Sequence, residues 1–73
     1  PTAPVVELTG RELDVLALVA EGLSNAEVGR RLFIGEATVK TYLLRAFAKL
    51  EVNDRTAAVT AAYRKGLLAP PAP

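Results

Sequence analysis

Lys40, Thr41, Arg45 and Lys49 put three cations and a hydroxyl into one short stretch, with Leu44 among them and no carboxylate between. At helical spacing, Lys40, Thr41, Leu44, Arg45, Ala48 and Lys49 fall on one side of Gly35 to Leu50. Val39, Leu43, Ala46, Phe47 and Leu50 recur at i, i+4, i+7, i+8 and i+11 on the other, as an apolar stripe. Cations on a carboxylate-free face are suited to a polyanion. A second short helical pattern, Asn25 to Phe33, lies a few residues ahead. Helix, tight turn, and a longer helix with a basic outer face is how a helix-turn-helix presents a recognition helix to the DNA major groove. The same pattern also describes a core helix with a merely solvated basic face.

Other chemistries find little support. The chain has no His and no Cys, which removes the commonest general base and the thiolate and imidazole metal ligands. Glu12, Asp14, Glu21 and Glu27 are spaced as helix caps and solvated faces, with no nucleophile or metal constellation around them. The expectation is a protein that is not an enzyme and that needs no cofactor or metal.

The 73 residues suffice for one small domain, and 51% are apolar, mostly Ala, Leu and Val, with two Phe and two Tyr. That composition favours small, closely packed helices. The net charge of +1 is a poor footprint for nucleic acid, but its distribution is uneven. Residues 1–27 hold one arginine against five carboxylates, and residues 28–50 hold five cations against Glu36 alone. The positive charge therefore sits in the candidate helix-turn-helix. No run could span a membrane and no signal-peptide pattern opens the chain, so a cytoplasmic location without a membrane partner is expected. The start at Pro1 suggests a piece of something longer.

Four elements must position that basic face, over about 9–21, 24–33, 36–50 and 54–66. Thr9 and Glu12 form a capping box, with Leu8 and Leu13 at the staple positions. Leu13, Leu16, Ala17 and Ala20 hold the first helical spacing, and Gly22 suits the left-handed position after it. Ser24 and Glu27 repeat the box, with Leu23 and Val28 as its staple. Val28, Gly29 and Leu32 form the buried side of the second helix, Gly29 letting a neighbouring helix approach. Phe33-Ile34-Gly35 is the turn, with Gly35 at the cap of the third helix and Ile34 and Val39 as its staple. Asn53 or Asp54 caps the fourth helix, which Gly66 closes, and Leu67 and Leu68 fold back as an apolar plug. Residues 1–7 read as a linker, 8–68 as the domain and 69–73 as a Pro-rich flexible tail.

The motifs now stand in order: Leu8-Thr9-x-Arg11-Glu12, Glu21-Gly22-Leu23-Ser24-Asn25-x-Glu27-Val28, Thr38-Val39-Lys40, Lys49-Leu50-x-Val52-x-x-Arg55, Ala58-Val59 and Gly66-Leu67-Leu68. In this the chain resembles the LuxR-type (NarL/FixJ) DNA-binding domain of bacterial transcription regulators over Leu8 to Leu68. The resemblance implies an all-α, four-helix bundle whose third helix enters the major groove. It places Lys40, Thr41 and Leu44 at base edges, where Lys40 can donate to guanine, Thr41 can reach either kind of base and Leu44 can touch a thymine methyl. Ser24, Arg30, Arg31, Thr38, Arg45 and Lys49 are the expected phosphate partners. The Thr38 hydroxyl could serve equally as a helix cap, and Glu36 would repel phosphate unless it reads cytosine or stays out of the groove. Glu12 and Arg55 read as structural, paired across the helices.

The resemblance further implies binding to inverted repeats as a homodimer through the fourth helix, with Ala57, Thr60, Ala61 and Arg64 at the contact. Small side chains on several faces of that helix also describe a plain high-propensity surface helix. Double-stranded DNA, an upstream receiver or sensor domain and RNA polymerase are the implied partners of a response regulator. Two departures stand out: Gly35 where the family commonly has Ser, and Tyr42 where it commonly has His. A sigma-factor-like promoter-reading module and a helical protein-interaction module without DNA contact are the alternatives.

Overall fold

The computed structural model describes residues 7–69, so the expected linker up to Val6 and the tail from Pro70 lie outside the described residues. Four helices follow one another: α1 (Gly10–Ala20), α2 (Asn25–Leu32), α3 (Glu36–Leu50) and α4 (Arg55–Arg64). No strand occurs among the described residues, and the fold is the all-α one expected.

The starts of the helices follow from local chemistry. Thr9 accepts from the Glu12 N–H at 3.2 Å while the Glu12 carboxylate accepts from the Thr9 N–H at 2.9 Å. Ser24 and Glu27 do the same at the start of α2, at 3.2 and 2.9 Å. Each box satisfies two amide groups that the first helical turn leaves without partners. Asp54, of the two candidates, caps α4 by accepting from the Ala57 N–H at 2.8 Å. Gly35 caps α3 with backbone alone. Gly22 takes the left-handed conformation expected of it, at φ +93°.

The core is built from Val15, Leu16, Val19, Val28, Val39, Leu43, Leu50, Ala58 and Ala62, with Ala46 fully buried on the inner side of α3. The α3 stripe is as the periodicity predicts, except that Phe47 is only half-buried. In α1 the buried face turns from its expected position. Val15, Leu16 and Val19 are buried, whereas Leu13, Ala17 and Ala20 are half-buried. Because α1 packs against α2, α3 and α4 together, its buried face is wider than one stripe of a single pairing. Leu67 and Leu68 fold back as expected, both amides donating to the Ala62 carbonyl and both side chains packing on the core.

The turn between α2 and α3 is set by Gly29. A Cβ there would lie 2.6 Å from the Ile34 carbonyl oxygen and 3.6 Å from the Glu36 amide, so the closest approach is made by the turn's own backbone, with the first residue of α3 next to it. The Ile34 amide returns to the Gly29 carbonyl at 2.9 Å. Closing the turn this tightly puts Phe33 at φ 59°, ψ 43°, a left-handed conformation that costs a non-glycine residue roughly 1–2 kcal/mol.

Candidate nucleic-acid interface

Helix α3 presents a defined outer face because its opposite face is fixed. Val39, Leu43, Ala46 and Leu50 anchor it in the core, which turns Lys40, Thr41, Leu44 and Arg45 outward, all four exposed. Leu44 is 54% exposed. The Thr41 hydroxyl donates to the Ala37 carbonyl at 3.2 Å, which leaves its oxygen lone pairs as the outward hydrogen-bonding capacity. The Arg45 guanidinium lies 5.9 Å from the centroid of the Tyr42 ring, close enough for a cation–π attraction that orients it. Tyr42 is half-buried, so it packs at the helix edge as well as holding Arg45.

Arg30 and Arg31 are exposed on the last turn of α2, and Ser24 is exposed at its start. Thr38 is exposed in the first turn of α3, whose cap carries no side-chain hydrogen bond. Ser24, by contrast, already accepts from the Glu27 amide and keeps only its hydroxyl proton to donate. Glu27 is held below the ordinary glutamate pKa by the Ser24 N–H and hydroxyl, with help from Arg30 and Arg31.

Lys49 also holds an ion pair within the fold. Its Nζ sits 2.7 Å from Oε1 of Glu12, and Glu12 is 2% exposed. A phosphate contact would have to compete with a buried carboxylate that has one other partner, the Thr9 amide. Glu12 is thus neither a solvated acid nor the partner of Arg55. Burial acts to raise the Glu12 pKa, but hydrogen bonds from Lys49 and Thr9 outweigh it and hold the group below the ordinary value. Arg55 instead crosses to the start of α2, donating to the Asn25 side-chain carbonyl and, at 2.8 Å, to the Leu23 carbonyl. Both ends of the helix-turn-helix are thus tied down from outside it, the C-terminal end of α3 by α1 and the N-terminal end of α2 by α4.

Ala58 and Ala62 of α4 are fully buried. Ala57 and Ala61 are half-buried and Thr60 and Arg64 exposed, and the four line one shallow groove with Val52 and Lys65. Phe33, 94% exposed, was missed by sequence reading as anything but a turn residue. A Phe in the place where a turn closes over Gly29 was the available signal.

The model for "Bacterial regulatory proteins, luxR family" matches residues 6–62, most of the chain. The chain belongs to this family. Within the luxR family, the transcriptional regulatory protein LiaR of Bacillus subtilis (strain 168) is 48% identical over 65 residues, which are 89% of this chain and 31% of LiaR. The crystal structure of the response regulator ChrA of a heme-sensing two-component system superposes with a TM-score of 0.84 at 45% identity, covering 90% of this chain and 33% of that one. The structure of the transcription factor GerE gives a TM-score of 0.81 at 32% identity, covering 85% of this chain and 92% of GerE. The chain thus spans about a third of LiaR and ChrA, and nearly all of GerE. The luxR family is one of helix-turn-helix, DNA-binding regulators of transcription rather than enzymes, and this chain is such a DNA-binding domain.

Proposed function

We propose that this domain binds double-stranded DNA sequence-specifically, with α3 in the major groove, as the output domain of a response regulator. The observation that carries the reading is the outer face of α3: Lys40, Thr41, Leu44 and Arg45 are all exposed on a helix held rigidly from behind. Lys40 donates to guanine O6 and N7, Thr41 meets a neighbouring base and Leu44 packs on a thymine methyl. Ser24, Arg30, Arg31, Thr38 and Arg45 take phosphates on either side, fixing the register, and Lys49 does so in exchange for its Glu12 partner.

Two copies occupy an inverted repeat, paired through Ala57, Thr60, Ala61 and Arg64 of α4, with half-sites roughly 10 bp apart. Small side chains, Ala57 and Ala61, along that groove allow close approach of two helices. A receiver domain precedes this one in a longer cytoplasmic protein, in keeping with the third of LiaR and ChrA that the chain spans. RNA polymerase is a further partner in that setting. No helix among the described residues is long and apolar enough to cross a membrane.

Selection of bound sequences from a random duplex pool, at two salt concentrations, tests the reading. An inverted motif should emerge, and Lys40→Ala should relax it at one guanine, costing roughly 1–3 kcal/mol there. Affinity should fall steeply with salt as counterions are released. A pool that stays unenriched at low salt would leave the basic face as a solvated one. Ala61→Glu should abolish cooperative occupation of the palindrome while a single half-site binds as before.

A further inference from the structure

Among the described residues only two large apolar side chains are exposed, Phe33 at 94% and Leu44 at 54%. Both lie in the α2–α3 unit, inside the segment that concentrates the chain's positive charge. Single exposed apolar residues are ordinary on a protein surface. Phe33 is not ordinary, because its backbone is also left-handed, a conformation in which Asn and Gly are far more at home than Phe. Among the described residues the ring belongs neither to the core nor to the shell packed on it.

The turn explains the direction. The Ile34 carbonyl presses on Gly29 and the Phe33 amide donates to the Gly29 carbonyl, so the turn closes on its own backbone and the ring stands outside it. Phe33 follows Arg30 and Arg31 closely in the chain and stands immediately before the first turn of α3. A partner for this spot must offer apolar surface next to anionic groups. A deoxyribose-phosphate strand does so, because each sugar presents carbon-bound hydrogens between two phosphates.

We infer that Phe33 is a further DNA-contact residue, its ring packing on a deoxyribose of the strand that borders the groove, while Arg30 and Arg31 take the adjoining phosphates. The inference rests on the proposed reading of α3 and deepens it. The contact is indifferent to base identity, so Phe33 fixes register and adds affinity without choosing sequence. Asn in its place would relieve the backbone and lose the contact.

The chain contains no Trp, so Phe33→Trp supplies a single indole reporter. That variant is titrated with the selected duplex, following binding by anisotropy of the labelled DNA and access to the indole by acrylamide quenching. The expected result is saturable binding with indole quenching reduced at least twofold in the complex. In parallel, Phe33→Asn should melt no lower than the parent yet bind roughly five- to tenfold more weakly. Its salt dependence should be unchanged, because no charge is removed. Binding that saturates while the indole stays as accessible as in the free chain would overturn the inference and leave the reading of α3 intact. Parental affinity of Phe33→Asn would do the same. Failure of the parent chain to bind any duplex would overturn both.

Discussion

Thr9-x-x-Glu12 and Ser24-x-x-Glu27 are the same device, with the same two hydrogen bonds at the same lengths. Their surroundings make them different. Glu12 is buried and takes Lys49 from the far end of α3, so a helix cap becomes the joint between α1 and α3. Glu27 stays exposed beside Arg30 and Arg31, at the edge of the cationic surface. The difference teaches that a local motif sets where a helix begins, whereas its energetic weight depends on what the fold brings against it. Glu12 serves the stability of the domain, and Ser24 and Glu27 stand where DNA is proposed to lie.

Separating those two roles by mutation sharpens the comparison. The largest effect belongs to Glu12→Ala, which removes a cap, opens a buried site and strands Lys49. A loss of about 2–3 kcal/mol in denaturant unfolding is expected, less than a fully buried pair would give because Lys49 remains 39% exposed. A loss equal to that of an ordinary surface cap would break the comparison. Acid comes next. Both carboxylates titrate below the ordinary glutamate value in the folded state, so their stabilisation is complete above roughly pH 4.3 and disappears as pH falls through the depressed values. Unfolding followed across that range should lose part of its pH dependence in Glu12→Gln and part in Glu27→Gln.

Thr9→Ala and Ser24→Ala should each cost about 1 kcal/mol as lost caps. Thermal melts should find them alike, while DNA titration finds only Ser24→Ala weakened. Equal affinities would remove Ser24 from the phosphate set. The smallest effect is that of Glu27→Ala. It should destabilise less than Ser24→Ala, and it should tighten DNA binding severalfold at low salt by removing a negative charge beside Arg30 and Arg31. Weaker binding would mean that Glu27 matters only as a cap.

Most of the fold was legible because its signals are local. Capping boxes at Thr9 and Ser24, a left-handed Gly22 and the period of Val39, Leu43, Ala46 and Leu50 each need only neighbours in sequence. Contacts across the chain were not legible in that way. Glu12 and Lys49 are far apart in sequence, and so are Arg55 and Asn25, and nothing in a period or a cap says which cation meets which acceptor. Lys49 was therefore grouped with Arg45, although the two differ in what lies behind them. The wide buried face of α1 escaped for a related reason, since three helices share it. Phe33 was hidden by its role, because turn residues are read for backbone rather than for where a side chain projects.

The central claim is that α3 reads the major groove through Lys40. Dimethyl sulfate footprinting of a selected duplex tests it most directly, because the reagent methylates guanine N7 in the major groove and adenine N3 in the minor groove. The account predicts protection of guanine N7 at one position in each half-site, lost specifically at that guanine with Lys40→Ala, while adenine N3 stays reactive. Protection confined to adenine N3, or a guanine footprint that Lys40→Ala leaves unchanged, would contradict it.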